Sequence, residues 1–120
     1  MKSGSRLFYS MVGNPTACID SCTPGENLVA PPNGDAAVDG MISVIAHELV
    51  EAVSDPQSDG NRAWEDDDGY ENADKCAWTY GETERTDTGS MYNMEFNGRK
   101  WLVQRNVSFH ACCMLYERLK

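Results

Sequence analysis

Apolar side chains crowd one stretch of this chain, between Asp39 and Pro56. Ile42, Ile45, Leu49, Ala52 and Val53 recur at helical spacing, and Met41, Val44 and Val50 widen the stripe. The pattern predicts a helix over 40–54, capped by Asp39 and stopped by Pro56. Two later runs, 90–96 and 100–109, read as strands. Asn97-Gly98 between them is the strongest hairpin signal in the sequence. A strand is expected over 6–12, closed by Gly13-Asn14-Pro15, and a short second helix over 70–78 would put Glu71 and Asp74 on one face. Residues 13–40 are rich in Pro, Gly, Asn and Cys and predict an extended, stapled loop. Residues 57–68 read as loop and 79–90 as polar turns. The sum is an α+β fold in a single domain over 1–120.

The helix carries chemistry as well as packing. His47-Glu48-Leu49-Val50-Glu51 places His47 and Glu51 one turn apart on one face, with Glu48 beside them. This is the spacing of a zincin-like metal-site helix, His-Glu-x-x-His, with a carboxylate in place of the second histidine. A helix this apolar is mostly enclosed, so its ionisable groups are costly unless paired or bound. A third ligand must come from a separate element. Glu71, twenty residues after Glu51, and Asp74, three further on, both compete for that place; Asp74 would alternatively orient His47 through its second ring nitrogen. The chain has only one other histidine, His110, so a three-histidine site is excluded. Zinc suits the imidazole, and the added carboxylate opens the site to manganese. Glu48 is the candidate general base of a hydrolytic centre. Against fast hydrolysis, the charge of Glu51 would weaken the metal as a Lewis acid. The pattern therefore fits a hydrolase-like metal centre or the remains of one.

Charge sharpens this picture. The formal net charge is −9, and residues 47–74 hold ten acidic side chains against Arg62 alone. Such a block repels phosphate backbones and attracts cations, so a nucleic-acid partner is excluded. The run Glu65-Asp66-Asp67-Asp68 reads either as a solvated loop or as part of a calcium site. Asp55, Gln57, Asp59, Gly60 and Asp66 fall in an EF-hand frame, but Pro56 intrudes and position 12 is not glutamate; a looser calcium site stays open. Trp64, Tyr70, Trp78 and Tyr80 flank the acids, either stacking on sugars at a cleft or serving as core. Basic Arg99, Lys100 and Arg105 read as counterions. No run reaches transmembrane length.

Five cysteines in 120 residues suggest an oxidising compartment. Cys18 and Cys22 are expected to form a small loop staple, and Cys76 to pair with Cys112 or Cys113. One thiol is then left over, or pairs with something outside this chain. Asn106-Val107-Ser108 is a glycosylation sequon. The first residues do not form a signal peptide, and the abrupt entry into Leu7-Phe8-Tyr9 favours a lost N-terminus.

Stretches covering most of the chain resemble the phosphate-induced protein 1 family, the Exordium-like secreted proteins of plants. They are residues 9–14 (Tyr9-Ser10-Met11-Val12-Gly13-Asn14), 28–35, 38–49 with Ala46-His47-Glu48-Leu49, 72–76 with Asp74-Lys75-Cys76, and 97–104 with Trp101-Leu102-Val103-Gln104. The resemblance implies secretion to the cell wall or apoplast and a link to growth and to carbon or phosphate status. Family members are longer, so this chain would be a C-terminal part of one. The acidic run at residues 65–68 departs from the family pattern. Two functions stay open: a metal-dependent hydrolase with Glu48 as base, or a non-catalytic extracellular module that binds a cell-wall polysaccharide or an extracellular protein.

Overall fold

A computed structural model describes residues 9–56, 64–108 and 111–114, the backbone alone for 108 and 111–114. The architecture is α+β: two helices followed by three separate two-stranded antiparallel sheets. Helix α1 spans Gly25–Val29 and α2 spans Ala36–Ser54. The strands are β1 (Glu84–Arg85), β2 (Met91–Tyr92), β3 (Met94–Phe96), β4 (Arg99–Trp101), β5 (Asn106–Ser108) and β6 (Ala111–Met114). They pair β1 with β2, β3 with β4, and β5 with β6.

Helix α2 begins a turn earlier than the sequence predicts. Asp35, not Asp39, caps it: the Asp35 carboxylate accepts from the backbone N–H groups of Ala37 and Val38 at 3.0 and 3.1 Å. Asp39 is buried and serves the preceding loop instead, accepting from the Asn33 backbone N–H at 3.0 Å and from its side-chain amide at 2.7 Å. The C-terminal end matches expectation. Asp55 closes the last turn through Glu51 at 2.7 Å, and Pro56 follows.

The buried face of α2 is not the apolar stripe. Ala37, Asp39, Gly40, Ser43 and Glu51 turn inward, with His47 half-buried among them. Ile45 is 39 % exposed, Leu49 61 % and Val53 75 %, and Ala52 is exposed too. Close approach explains the choice. The loop at Cys22-Thr23 lies so near Gly40 that a Cβ there would collide with Thr23 Oγ1 and sit 3.1 Å from the Cys22 carbonyl oxygen. Only the small-residue face lets that loop in.

The predicted hairpin is present. β3 and β4 pair Met94 with Trp101 and Phe96 with Arg99, and the turn residues Asn97 and Gly98 both have positive φ, 55° and 72°. These are the two left-handed positions of a type I′ turn. Other predicted elements differ. Residues 9–12 are irregular, and residues 6–8 of that expected strand lie outside the described residues. The expected loop 13–40 contains a 3₁₀ segment, Thr16–Ser21, and α1. The expected helix over 70–78 contracts to a 3₁₀ turn, Asp74–Cys76, which ends where Ala77 turns extended at ψ 132°, ahead of Trp78 in the left-handed region at φ 62°. The second strand run divides into β2 and β3, and the third into β4 and β5, with 102–105 irregular between them.

Asparagine side chains tie these short elements together. Asn27 exchanges two hydrogen bonds with the Met91 backbone, at 2.9 and 2.7 Å, joining α1 to β2. Asn33 does the same with Lys100 in β4, at 2.7 and 3.1 Å. Asn93 bridges Val103, at 2.7 and 2.9 Å, and Tyr80 at 2.9 Å. A side-chain amide has the donor and acceptor of a peptide unit, so each stands in for a missing strand neighbour. The apolar core is correspondingly small among the described residues: Ala37, Ala73, Cys76, Tyr92 and Leu102.

Cys18 and Cys22 are free thiols, which corrects the expected staple. A 3₁₀ segment winds through both, with Cys18 itself out of helical geometry at φ −143°. Burial, then the neighbouring Cys18, raises the Cys22 thiol above its ordinary range. Cys76 is fully buried and is disulfide-bonded. Whether Cys112 or Cys113 is involved lies outside the described side chains.

Candidate metal centre

Five acidic and imidazole side chains converge where α2 meets the segment 71–76. His47 and Glu51 lie on successive turns of α2, and His47 Nε2 is 2.9 Å from Glu51 Oε1. The same nitrogen is 3.4 Å from Asp74 Oδ1. Ligand atoms of His47, Glu48 and Glu51 fall within 4.8 Å of one another, and so do those of Glu51, Glu71 and Asp74. Glu51 is the shared member. The structure thus brings together every residue that the sequence offers for the site.

Burial anchors the second ligand segment. Asn72, Ala73 and Cys76 are all buried, and Asn72 accepts from the Val107 N–H of β5 at 2.9 Å. Glu71 and Asp74 project from the exposed side of this anchored turn. The Glu71 backbone N–H donates to Asp74 Oδ2 at 3.4 Å, and the Lys75 N–H donates to the Glu71 carbonyl at 3.3 Å. Asp66 stabilises the neighbouring loop. It accepts from the backbone N–H groups of Asp68 and Tyr70, each at 2.9 Å, and pairs with Lys75. Part of the acidic run therefore shapes a turn. The calcium frame of residues 55–66 lies partly outside the described residues.

The electrostatics are unusual for a helix surface. Glu51 is only 8 % exposed, and burial pushes its carboxyl up to about 7; His47 pulls it back, while Asp74, Glu71 and Glu48 push it further. Glu71 is raised by burial first, and then by Asp55, Asp74 and Glu48. Glu51 Oε1 is buried with no hydrogen-bond donor. A buried carboxylate oxygen without a donor, facing an imidazole nitrogen and further carboxylates, is a donor set that fits a divalent cation. One imidazole with several carboxylates suits zinc or manganese.

Asp74 does not orient His47 through the second ring nitrogen, as one reading of the sequence has it. Asp74 faces Nε2, and Nδ1 instead meets Gln104 Oε1 at 3.4 Å. Sequence reasoning missed Gln104. The available signal was a single amide closing the run Trp101-Leu102-Val103, just after β4. Of the flanking aromatics, Tyr70 and Trp78 are about half exposed, at 53 % and 51 %, whereas Trp64 and Tyr80 are half-buried. Burial raises the Tyr80 phenol to about 12. Asn106, the sequon residue, heads β5 opposite Met114, with its Oδ1 buried. Among the described residues no helix is long and apolar enough to cross a membrane.

Comparison with known proteins supplies the family context. The model described as the phosphate-induced protein 1 conserved region matches residues 1–115. Protein EXORDIUM-like 5 of Arabidopsis thaliana is 41 % identical over 102 residues, covering 74 % of this chain and 28 % of that protein. Protein EXORDIUM-like 3 is 35 % identical over 121 residues, covering 84 % and 36 %. Protein EXORDIUM-like 1 is 28 % identical over 123 residues, covering 85 % and 40 %. The chain spans about a third of the length of these relatives. No solved structure matches it.

Proposed function

The chain belongs to the phosphate-induced protein 1 family, and from that premise we propose that it is an extracellular protein that holds a divalent cation. His47, Glu51 and Asp74 would be the ligands, with Glu71 completing the shell. The observation that carries this reading is Glu51 Oε1, buried without a donor and 2.9 Å from His47 Nε2. Isolated ionised groups are expensive to bury, and a cation shared among them offsets that cost.

A cation bound here would supply Lewis acidity and a more acidic bound water. Glu48 lies within the cluster, a carboxylate oxygen within 4.8 Å of ligand atoms of His47 and Glu51, and would be the group that accepts a proton. This geometry favours hydrolysis of a cell-wall or apoplastic substrate at the shared face. The carboxylate-rich shell lowers the reactivity of zinc, so turnover is expected to be slow.

A second reading rests on Tyr70 and Trp78, whose rings are half exposed beside the acids. Such rings stack on sugars, so a carbohydrate-binding module that uses the cation structurally is the alternative. Metal content separates both readings from a purely structural cluster. Protein purified from an oxidising host without chelator should carry about one equivalent of zinc or manganese, lost in His47→Ala and in Glu51→Ala. The absence of metal in wild type and variants alike, after zinc or manganese is offered, would rule the site out. Metal-dependent hydrolysis lost in Glu48→Gln then selects the enzyme; saccharide binding that survives Glu48→Gln selects the module.

A further inference from the structure

Gln104 sits behind the cluster, on the side of His47 away from the carboxylates. Its Oε1 meets two groups. The backbone N–H of Trp78 donates to it at 3.2 Å, and His47 Nδ1 lies 3.4 Å away. A backbone amide can only donate, so the Trp78 contact identifies the facing amide atom of Gln104 as oxygen. An oxygen facing Nδ1 requires that Nδ1 carry the proton. Nε2 of the neutral ring is then left with its lone pair, with Glu51 Oε1 and Asp74 Oδ1 2.9 and 3.4 Å away. A lone pair this close to two carboxylates is repelled by them with nothing between and is favourable with a cation shared among them.

The backbone around Trp78 is arranged for this contact. Trp78 has φ 62°, in the left-handed region that a bulky residue rarely adopts. The turn is held on both sides. Thr79 donates to the Cys76 carbonyl through its N–H at 3.0 Å and its hydroxyl at 2.6 Å, and Arg105 N–H donates to the Thr79 carbonyl at 2.8 Å. Strained backbone that places one N–H on one side-chain oxygen is the kind of feature found at functional sites.

We infer that Gln104, pinned by the Trp78 N–H, is a positioning residue that fixes His47 in its Nδ1–H tautomer and so presents Nε2 to the metal cluster. The inference rests on the metal reading for its purpose, but not for its first readout. Without Gln104 the ring gains more by moving its proton to Nε2. That proton then lies among the Glu51 and Asp74 carboxylates, whose oxygens are 2.9 and 3.4 Å from Nε2, and closes the site against a cation. Gln104 thus acts by keeping on Nδ1 the proton that the neighbouring carboxylates would otherwise draw to Nε2.

The test is the ring-nitrogen NMR of His47 in metal-free protein, at a pH well above the ordinary imidazole range, together with zinc titration. Wild type should show a single Nδ1–H tautomer. Gln104→Leu should shift the proton to Nε2 and weaken zinc binding by about 10–100-fold. Gln104→Glu keeps an oxygen acceptor in place and should retain the Nδ1–H tautomer. An Nε2–H tautomer in wild type, or an unchanged tautomer in Gln104→Leu, overturns the inference; the wild-type spectrum decides even if the leucine variant does not fold. Zinc that fails to bind wild type with the Nδ1–H tautomer intact removes the metal reading and leaves the assigned proton standing.

Discussion

Glu51 lies one helical turn beyond His47, with its carboxylate oxygen 2.9 Å from the imidazole and no donor of its own. Burial holds this carboxyl near 7 in the folded chain, against an ordinary value of 4.5. A folded-state value above the unfolded one favours the folded protein most when the group is protonated. That contribution is complete below about 4.5 and is lost as pH rises through about 7. Metal-free wild type should therefore show a falling urea midpoint across that window, relative to Glu51→Gln measured in parallel. Zinc should reverse the trend, because it competes with the proton and binds only the folded site.

Gly40 and Thr23 are in near-contact where α2 meets the Cys22-Thr23 loop that precedes α1. Gly40→Ala places a methyl group where Thr23 Oγ1 now lies, and should cost about 1–3 kcal/mol by overpacking. Thr23→Ala in the same chain removes the obstructing hydroxyl and should recover part of the loss. Equilibrium unfolding of the two single variants and the double variant checks the coupling.

Asn93 carries three hydrogen bonds to the backbones of Val103 and Tyr80. Asn93→Leu keeps the bulk but leaves those groups unpaired, at about 1–3 kcal/mol for each one that stays buried. Asn33→Ala should show a loss of the same kind, because it strips both the Lys100 pairing and the side-chain donor to buried Asp39, leaving only the backbone N–H. Hydrogen exchange at the Val103 and Lys100 amides should accelerate in the respective variants.

The hairpin and the body of α2 are legible in the sequence because each has a local cause: Asn97-Gly98 in one, helical periodicity ending at Pro56 in the other. The buried face of α2 is not legible. Met41, Val44 and Val50 make the helix apolar nearly all round, so periodicity cannot choose a side. The choice is made by Gly40 against Thr23 and by the carboxylates that meet at Glu51. The asparagine ties are equally silent, since a side-chain amide that replaces a strand neighbour leaves no repeat. The site itself reads well because a helix fixes the spacing of His47, Glu48 and Glu51. Gln104 escapes because its partner, the Trp78 N–H, is a backbone group exposed by a left-handed turn.

Cysteine chemistry offers a separate check. Cys18 and Cys22 should alkylate without reductant, Cys18 ahead of Cys22, whose thiol burial holds in the protonated form. Cys76 should resist until a reductant is added. Peptide mapping under non-reducing conditions should then find its partner at Cys112 or Cys113. A Cys18–Cys22 disulfide in freshly purified protein would contradict the free thiols of the structure.

The central claim, that one imidazole and a set of carboxylates hold a divalent cation, is tested most directly by X-ray absorption at the zinc edge on protein loaded with one equivalent. The account predicts a shell of oxygen and nitrogen near 2.0–2.2 Å with a single imidazole and no sulfur. That imidazole signature should vanish in His47→Ala. A sulfur scatterer, or a spectrum of hydrated zinc with no imidazole in the wild-type protein, would contradict it.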